Sequence, residues 1–189
     1  MEHLINQIEE ELRGLATEKA SKSAAYFVPG ADSILGVRMP ELNQLAKKYK
    51  AHGFELCLEL WASPIYEMKM LAAKTLPYPV KKDLEYGFEI MDTWSAEVDN
   101  WAICDTLGMT TGRILFQKQP ERLLNVAKQN LNSSNFWVVR MGLVYLTHFA
   151  RNKDNHSLIQ ELISPLEGHK EKYVKKAIVW VKKDLRKFA

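Results

Sequence analysis

The sequence predicts an all-α fold of stacked antiparallel helix pairs, and three observations predict it. Apolar residues recur at helical spacing in nearly every segment, as in the stripe Leu4, Ile5, Ile8, Leu12 and Leu15. No run of alternating residues between turn signals suggests a hairpin. Similar helices also return at a nearly constant interval. KMLAAKTL from Lys69, DTLGMTTG from Asp105, RMGLVYLT from Arg140 and KAIVWVKK from Lys176 each open on a charge and continue apolar or small, at intervals of 36, 35 and 36 residues. The segments LEYGFEIM, ERLLNVAKQNL and HSLIQELI lie between them as second helices of pairs. Two helices in every thirty-five to forty residues describe a HEAT-like α-solenoid, here expected as a single domain over residues 1–189.

The elements follow in order. The stripe from Leu4 makes the first helix, and VPGAD reads as a break. Pro40 in MPELNQLAKKY, Ser63-Pro64 in SPIYEMKMLAAKTL and Pro120 in PERLLNVAKQNL mark helix first turns. LPYP, the stretch from Gly112 to Pro120, LNSSN and RNKDN read as further breaks. Asp99 and Asn100 begin the helix of DNWAICD, where an N-cap would aim Trp101 and Asp105. About ten short helices result.

A chain of 189 residues and 21.8 kDa, 47% hydrophobic and 26% charged, suits one globular core or an array of small repeats. Cys57 and Cys104 share no metal-ligand spacing and the five histidines are scattered, so neither a zinc site nor a disulfide framework is expected. The acidic, amphipathic start MEHLINQIEEEL is not a signal peptide, and no apolar run suggests a membrane span. These features lead to the expectation of a reduced, soluble, cytoplasmic protein. The net charge of +3 is uneven: the last twenty residues carry roughly +6, leaving roughly −3 for residues 1 to 169. A basic end of this kind suits a polyanion, or is a solvated helix face.

The repeat register gives DNWAICD a geometry. Lys69, Asp105, Arg140 and Lys176 would occupy equivalent places on successive inner helices, lining a concave basic groove. Trp101 precedes Asp105 by four residues and Trp180 follows Lys176 by four, so each ring shares a face with its charge. Rings among cations in an open groove can hold nucleic acid. Equally, Asp105 and Arg140 can form an inter-repeat salt bridge with both indoles packed over it.

On these residues the chain resembles the AlkD-like DNA alkylation repair proteins, HEAT-like-repeat DNA glycosylases. AAYFVPGADSILGVRMPELNQLAKKY is similar to the family's N-terminal block, with a Tyr before an LG[IV]xxPE turn. Trp101 and Asp105 match its Trp-x-x-x-Asp, Arg140 in FWVVRMGLVYL its arginine helix, and Trp180 in VKKAIVWVKKDL the Trp of its (Q/K)KA(I/V)xW segment. The resemblance spans nearly the whole chain.

What the resemblance implies is excision of cationic alkylated purines, such as 3-methyladenine and 7-methylguanine, from double-stranded DNA. It implies that no metal and no cofactor is used. The protein is further expected to be a monomer, cytoplasmic and nucleoid-associated when bound to DNA. Asp105 would stabilise positive charge developing on the sugar and position the attacking water. Trp101 and Trp180 would hold the deoxyribose, and Arg140 would clamp a nearby phosphate. Tyr26 is a further groove-wall residue, although its spacing to LGV is one residue longer than the family pattern. Lys69, Lys175 and Lys176 would contact phosphates. The chain runs nine residues past Trp180, fewer than in relatives with several further helices, and the basic tail is expected to replace part of their DNA-gripping surface. The rival expectations are a DNA-binding module that does not cut and a scaffold whose groove holds a protein segment.

Among the other residues, Cys104 reads as a buried helical cysteine and His148 as a satisfied core or groove histidine. Trp61, Trp94 and Trp137 read as packing residues. Arg113 and Lys118 lie near a helix end, within reach of a nucleic-acid backbone.

Overall fold

The computed structural model of the protein describes residues 1–31 and 33–189. It is all-α, with no strand among the described residues, and none of its helices is long and apolar enough to cross a membrane. The VPGAD break ends on Asp32, which lies outside the described residues. The chain divides into two compact units, Met1–Gly87 and Phe88–Ala189.

The first unit contains α1 (Glu2–Leu15), α2 (Glu18–Phe27), α3 (Met39–Tyr49), α4 (Gly53–Ala62), α5 (Tyr66–Thr75) and the single turn α6 (Pro77–Val80). Helices α3 and α4 both pack on α5. Their shared core is Leu42, Leu56, Cys57, Leu60, Met68, Met70 and Leu71, all fully buried. Two proline expectations shift here. Pro64 lies in the turn before α5, whose N-cap is Ile65, while LPYP is not a plain break because Pro77–Val80 forms a helical turn. Proline at a first-turn position costs no hydrogen bond, which allows that turn.

The LGV turn is fixed by a carboxylate from α5. Glu67 is 0% exposed and accepts from the backbone N–H groups of Leu35 (2.9 Å), Gly36 (2.7 Å) and Val37 (3.3 Å). Gly36 has φ +99°, and a Cβ there would come within 2.5 Å of the Ser21 nitrogen and the Thr17 carbonyl oxygen. The Thr17 N–H in turn donates to the Gly36 carbonyl at 2.9 Å. Turn, helix α2 and helix α5 are thereby tied together.

The second unit opens within α7 (Leu84–Glu97) and continues through α8 (Trp101–Lys118), α9 (Pro120–Asn130), α10 (Phe136–Phe149), α11 (His156–Ile163) and α12 (Lys172–Lys187). Helix α10 is buried from Val139 to Phe149, as a helix apolar on all sides must be. It packs on α8, α9 and α12. The repeat register is realised at the level of elements: Lys69, Asp105, Arg140 and Lys176 fall on α5, α8, α10 and α12, with the partner segments in α7, α9 and α11.

The break expected between Gly112 and Pro120 falls at the far end of that stretch, at Gln119, and not at Gly112. Helix α8 continues for 18 residues and stops only at Gln119. Gly112 serves packing instead of a turn: a Cβ there would stand 2.9 Å from the Tyr145 ring, and one on Gly108 would stand 2.5 Å from Val144 Cγ1. The two glycines, one helical turn apart, let α8 lie close against α10.

Two stability outcomes follow. Glu67→Ala strands three N–H donors, two of them buried, and should lower the unfolding free energy by on the order of 3 kcal/mol. Gly108→Val forces a branched side chain against the stiff Val144 and should cost roughly 1–3 kcal/mol. Urea midpoints at unchanged slope measure both.

Candidate active site in the second unit

The site begins with a helix start. Asn100 is the N-cap of α8, its side-chain oxygen accepting from the Ile103 N–H at 3.0 Å, and Asp99 accepts from the Asn100 amide at 2.7 Å. Trp101 is therefore the first residue of α8, and Asp105 lies one turn further along the same face. In α10 the N-cap is Asn135, which accepts from the Trp137 N–H at 2.9 Å. Arg140 is thus the fifth residue of its helix, as Asp105 is of α8. Equal depth below equivalent caps brings the two side chains face to face.

The contact is a bidentate ion pair. Arg140 Nε donates to Asp105 Oδ1 at 2.9 Å and Nη2 donates to Oδ2 at 2.8 Å. Nη1 of the same guanidinium donates to the Tyr173 carbonyl in the first turn of α12. One side chain therefore joins α8, α10 and α12. Its side-chain exposure is 6%, against 19% for Asp105, so the carboxylate is the more open partner. The Trp137 ring packs on Tyr173, with centroids 4.8 Å apart, beside the link from Arg140 to the Tyr173 carbonyl.

The electrostatics have two opposed parts. Burial pushes the Asp105 carboxyl above its ordinary 3.8, and the hydrogen bonds and charge of Arg140 pull it back, with the net shift upward. Its ionisation therefore opposes folding. The protonated form's contribution to stability is complete below pH 3.8 and is lost as pH rises through the raised value. Desolvation exceeds the pair's attraction, as is common for buried pairs, yet removing either partner would leave an uncompensated charge at greater cost.

The remaining expected residues are distributed as follows. Trp101 and Trp180 are half-buried, neither sealed in the core nor fully open. Trp180 lies on α12, seven residues beyond Tyr173, or about 10 Å along the helix axis. Lys175 and Lys176 are exposed on α12. Tyr26 and Lys69 belong to the first unit. Tyr26 is 79% exposed on α2, edge-on to Phe27 at 4.9 Å, and Lys69 on α5 stands 5.6 Å from the Trp61 ring.

The residues read as structural are buried. Cys104 is fully enclosed, and burial raises its thiol far above the ordinary range, so it is no nucleophile at neutral pH. His148 is bonded through Nε2 to the Gly108 carbonyl at 2.9 Å. Trp61, Trp94 and Trp137 are all buried. The sequence reading missed Tyr173. Its part in the site is played by a carbonyl, which no side-chain pattern announces.

The residues of this arrangement lie within a matched family. No curated protein matches the chain. The family model described as "DNA alkylation repair enzyme" matches residues 8–188, most of each unit and every expected site residue. The chain belongs to the DNA alkylation repair enzyme family.

Proposed function

We propose that the protein is a monofunctional DNA glycosylase that hydrolyses the N-glycosidic bond of cationic alkylated purines in duplex DNA, 3-methyladenine and 7-methylguanine among them. Membership of the family assigns the chain to the repair of alkylated DNA. The observation that carries the finer reading is the Asp105 carboxylate, held rigidly by two hydrogen bonds yet still part-exposed, one turn from a half-buried indole.

The chemistry suits such a group. A purine alkylated on a ring nitrogen already carries positive charge, so it takes the electrons of the breaking C–N bond and leaves neutral. Positive charge passes to the sugar, and water adds at the anomeric carbon and loses a proton to give the abasic site. Asp105 acts by fixed electrostatics on the sugar cation and by orienting the water. Each carboxylate oxygen gives one lone pair to Arg140 and keeps another for water. Trp101 and Trp180 hold the deoxyribose with their ring faces. Arg140 aligns the carboxylate, and its two remaining N–H groups are available to a phosphate. Lys175 and Lys176, with Tyr26 and Lys69 on the first unit, are further DNA contacts. No step calls for a metal or a cofactor.

One observation favours a second reading, a module that binds DNA without cutting it. Asp105 is already neutralised by a bidentate arginine, which weakens the field it can project onto a sugar cation. A duplex containing 7-methylguanine separates the two. The glycosylase should release free base, and Asp105→Asn should slow release by about 10²–10³-fold while changing duplex affinity by less than about tenfold. A melting curve of the variant checks that Arg140 tolerates the neutral partner. Wild-type protein that binds the duplex but frees no base over long incubation is a binding module.

The pH profile supplies an independent outcome. The carboxylate is the active form, so release should rise with pH through a value above 3.8. Arg140→Gln removes both influences that lower the Asp105 carboxyl, so this limb should move to still higher pH. An unmoved limb assigns the titration to another group.

A further inference from the structure

A second polar cluster lies on the same two helices, outside the machinery described above. A cleft of about 180 Å³ is lined by Arg113, Phe116 and Gln117 from α8, His148 from α10, and Arg151 just beyond α10. The two arginines are exposed, and neither has a carboxylate partner among the described residues. The guanidinium carbon of Arg151 stands 5.9 Å from the Phe188 ring, a contact that leaves its charge unneutralised. Phe116 stacks on His148 with centroids 5.6 Å apart, giving the cleft a rigid aromatic side. No acid lines the cleft, so two positive groups converge on it uncompensated.

The dipole of α10 accounts for one of these charges. Arg151 follows the C-terminus of that helix, where a cation is stabilising. Arg113 lies five residues before the end of α8, more than a turn from its carbonyls, and so has no such function. Two forked guanidiniums, a side-chain amide and an aromatic wall match the demands of a tetrahedral oxyanion.

We propose that this cleft binds a phosphate group, gripped between Arg113 and Arg151 with Gln117 as a neutral donor. Two sources share that chemistry: a nucleic-acid backbone phosphate and a free phosphate ester. The nucleic-acid source rests on the functional reading above, whereas the site itself does not. Arg113 is eight residues beyond Asp105 on α8, about 12 Å along the axis. That distance spans about three or four nucleotides of a strand, so a phosphate held here would set the register of duplex against the carboxylate.

The test compares wild-type protein with the double variant Arg113→Gln/Arg151→Gln. Both side chains are exposed, so the fold should tolerate the change, and melting curves verify it. In the first arm, affinity for an unmodified duplex is measured against salt. A backbone phosphate in the cleft predicts a loss of roughly tenfold or more and a salt slope shallower by about 0.9. In the second arm, inorganic phosphate is titrated while the His148 ring resonances are followed by NMR, with a saturable shift expected in wild type and none in the variant. A phosphate shift with an unchanged salt slope supports the site and assigns it to a free phosphate ester. An unchanged slope together with no phosphate-dependent shift overturns the proposal. Neither arm requires base release, so a protein that proves inactive as a glycosylase still decides the question.

Discussion

The second unit depends on the guanidinium of Arg140. From the middle of three helices it donates twice to Asp105 on α8 and once to the Tyr173 carbonyl on α12. A buried arginine must have its donors satisfied or it destabilises the fold. Here the satisfying groups come from both flanking helices, so meeting that requirement also sets their relative positions. Asp105 thereby becomes a fixed carboxylate with a partly open face, a state that a surface aspartate does not hold.

The pair can form because the helices approach closely. Gly108 and Gly112 bring α8 against Val144 and Tyr145 of α10, and the caps at Asn100 and Asn135 start both helices at matching depth. Backbone packing and cap placement therefore come first and side-chain chemistry second. A static carboxylate suits a reaction whose leaving group is already charged, because electrostatics on the sugar then replaces proton donation to the base. The same neutralised pair also suits plain structural cross-linking, which is why catalysis and mere binding stay distinct outcomes at this site.

Much of this was legible in the sequence, for identifiable reasons. A helix buried on one face must repeat its apolar residues at three- and four-residue spacing, and repeated helix pairs must repeat their registers. Those two constraints put Lys69, Asp105, Arg140 and Lys176 on α5, α8, α10 and α12. They also left two readings of Asp105 and Arg140 open, and the salt bridge between repeats is the contact observed. Gly112 misled because a glycine before a proline resembles a break, whereas this one makes room for the Tyr145 ring. Tyr173 was invisible because a carbonyl belongs to every residue. Glu67 carries no motif of its own in the first turn of α5, and only the folded LGV turn shows what it holds.

The most direct measurement of this account is a double-mutant cycle between Asp105→Ala and Arg140→Ala, read as unfolding free energy. A carboxylate fixed by the arginine predicts strong coupling, on the order of 2–3 kcal/mol, with the double variant far less damaged than the sum of the singles. Additive losses would mean that the two groups do not depend on each other, and would contradict the arrangement from which both the site and its chemistry were derived.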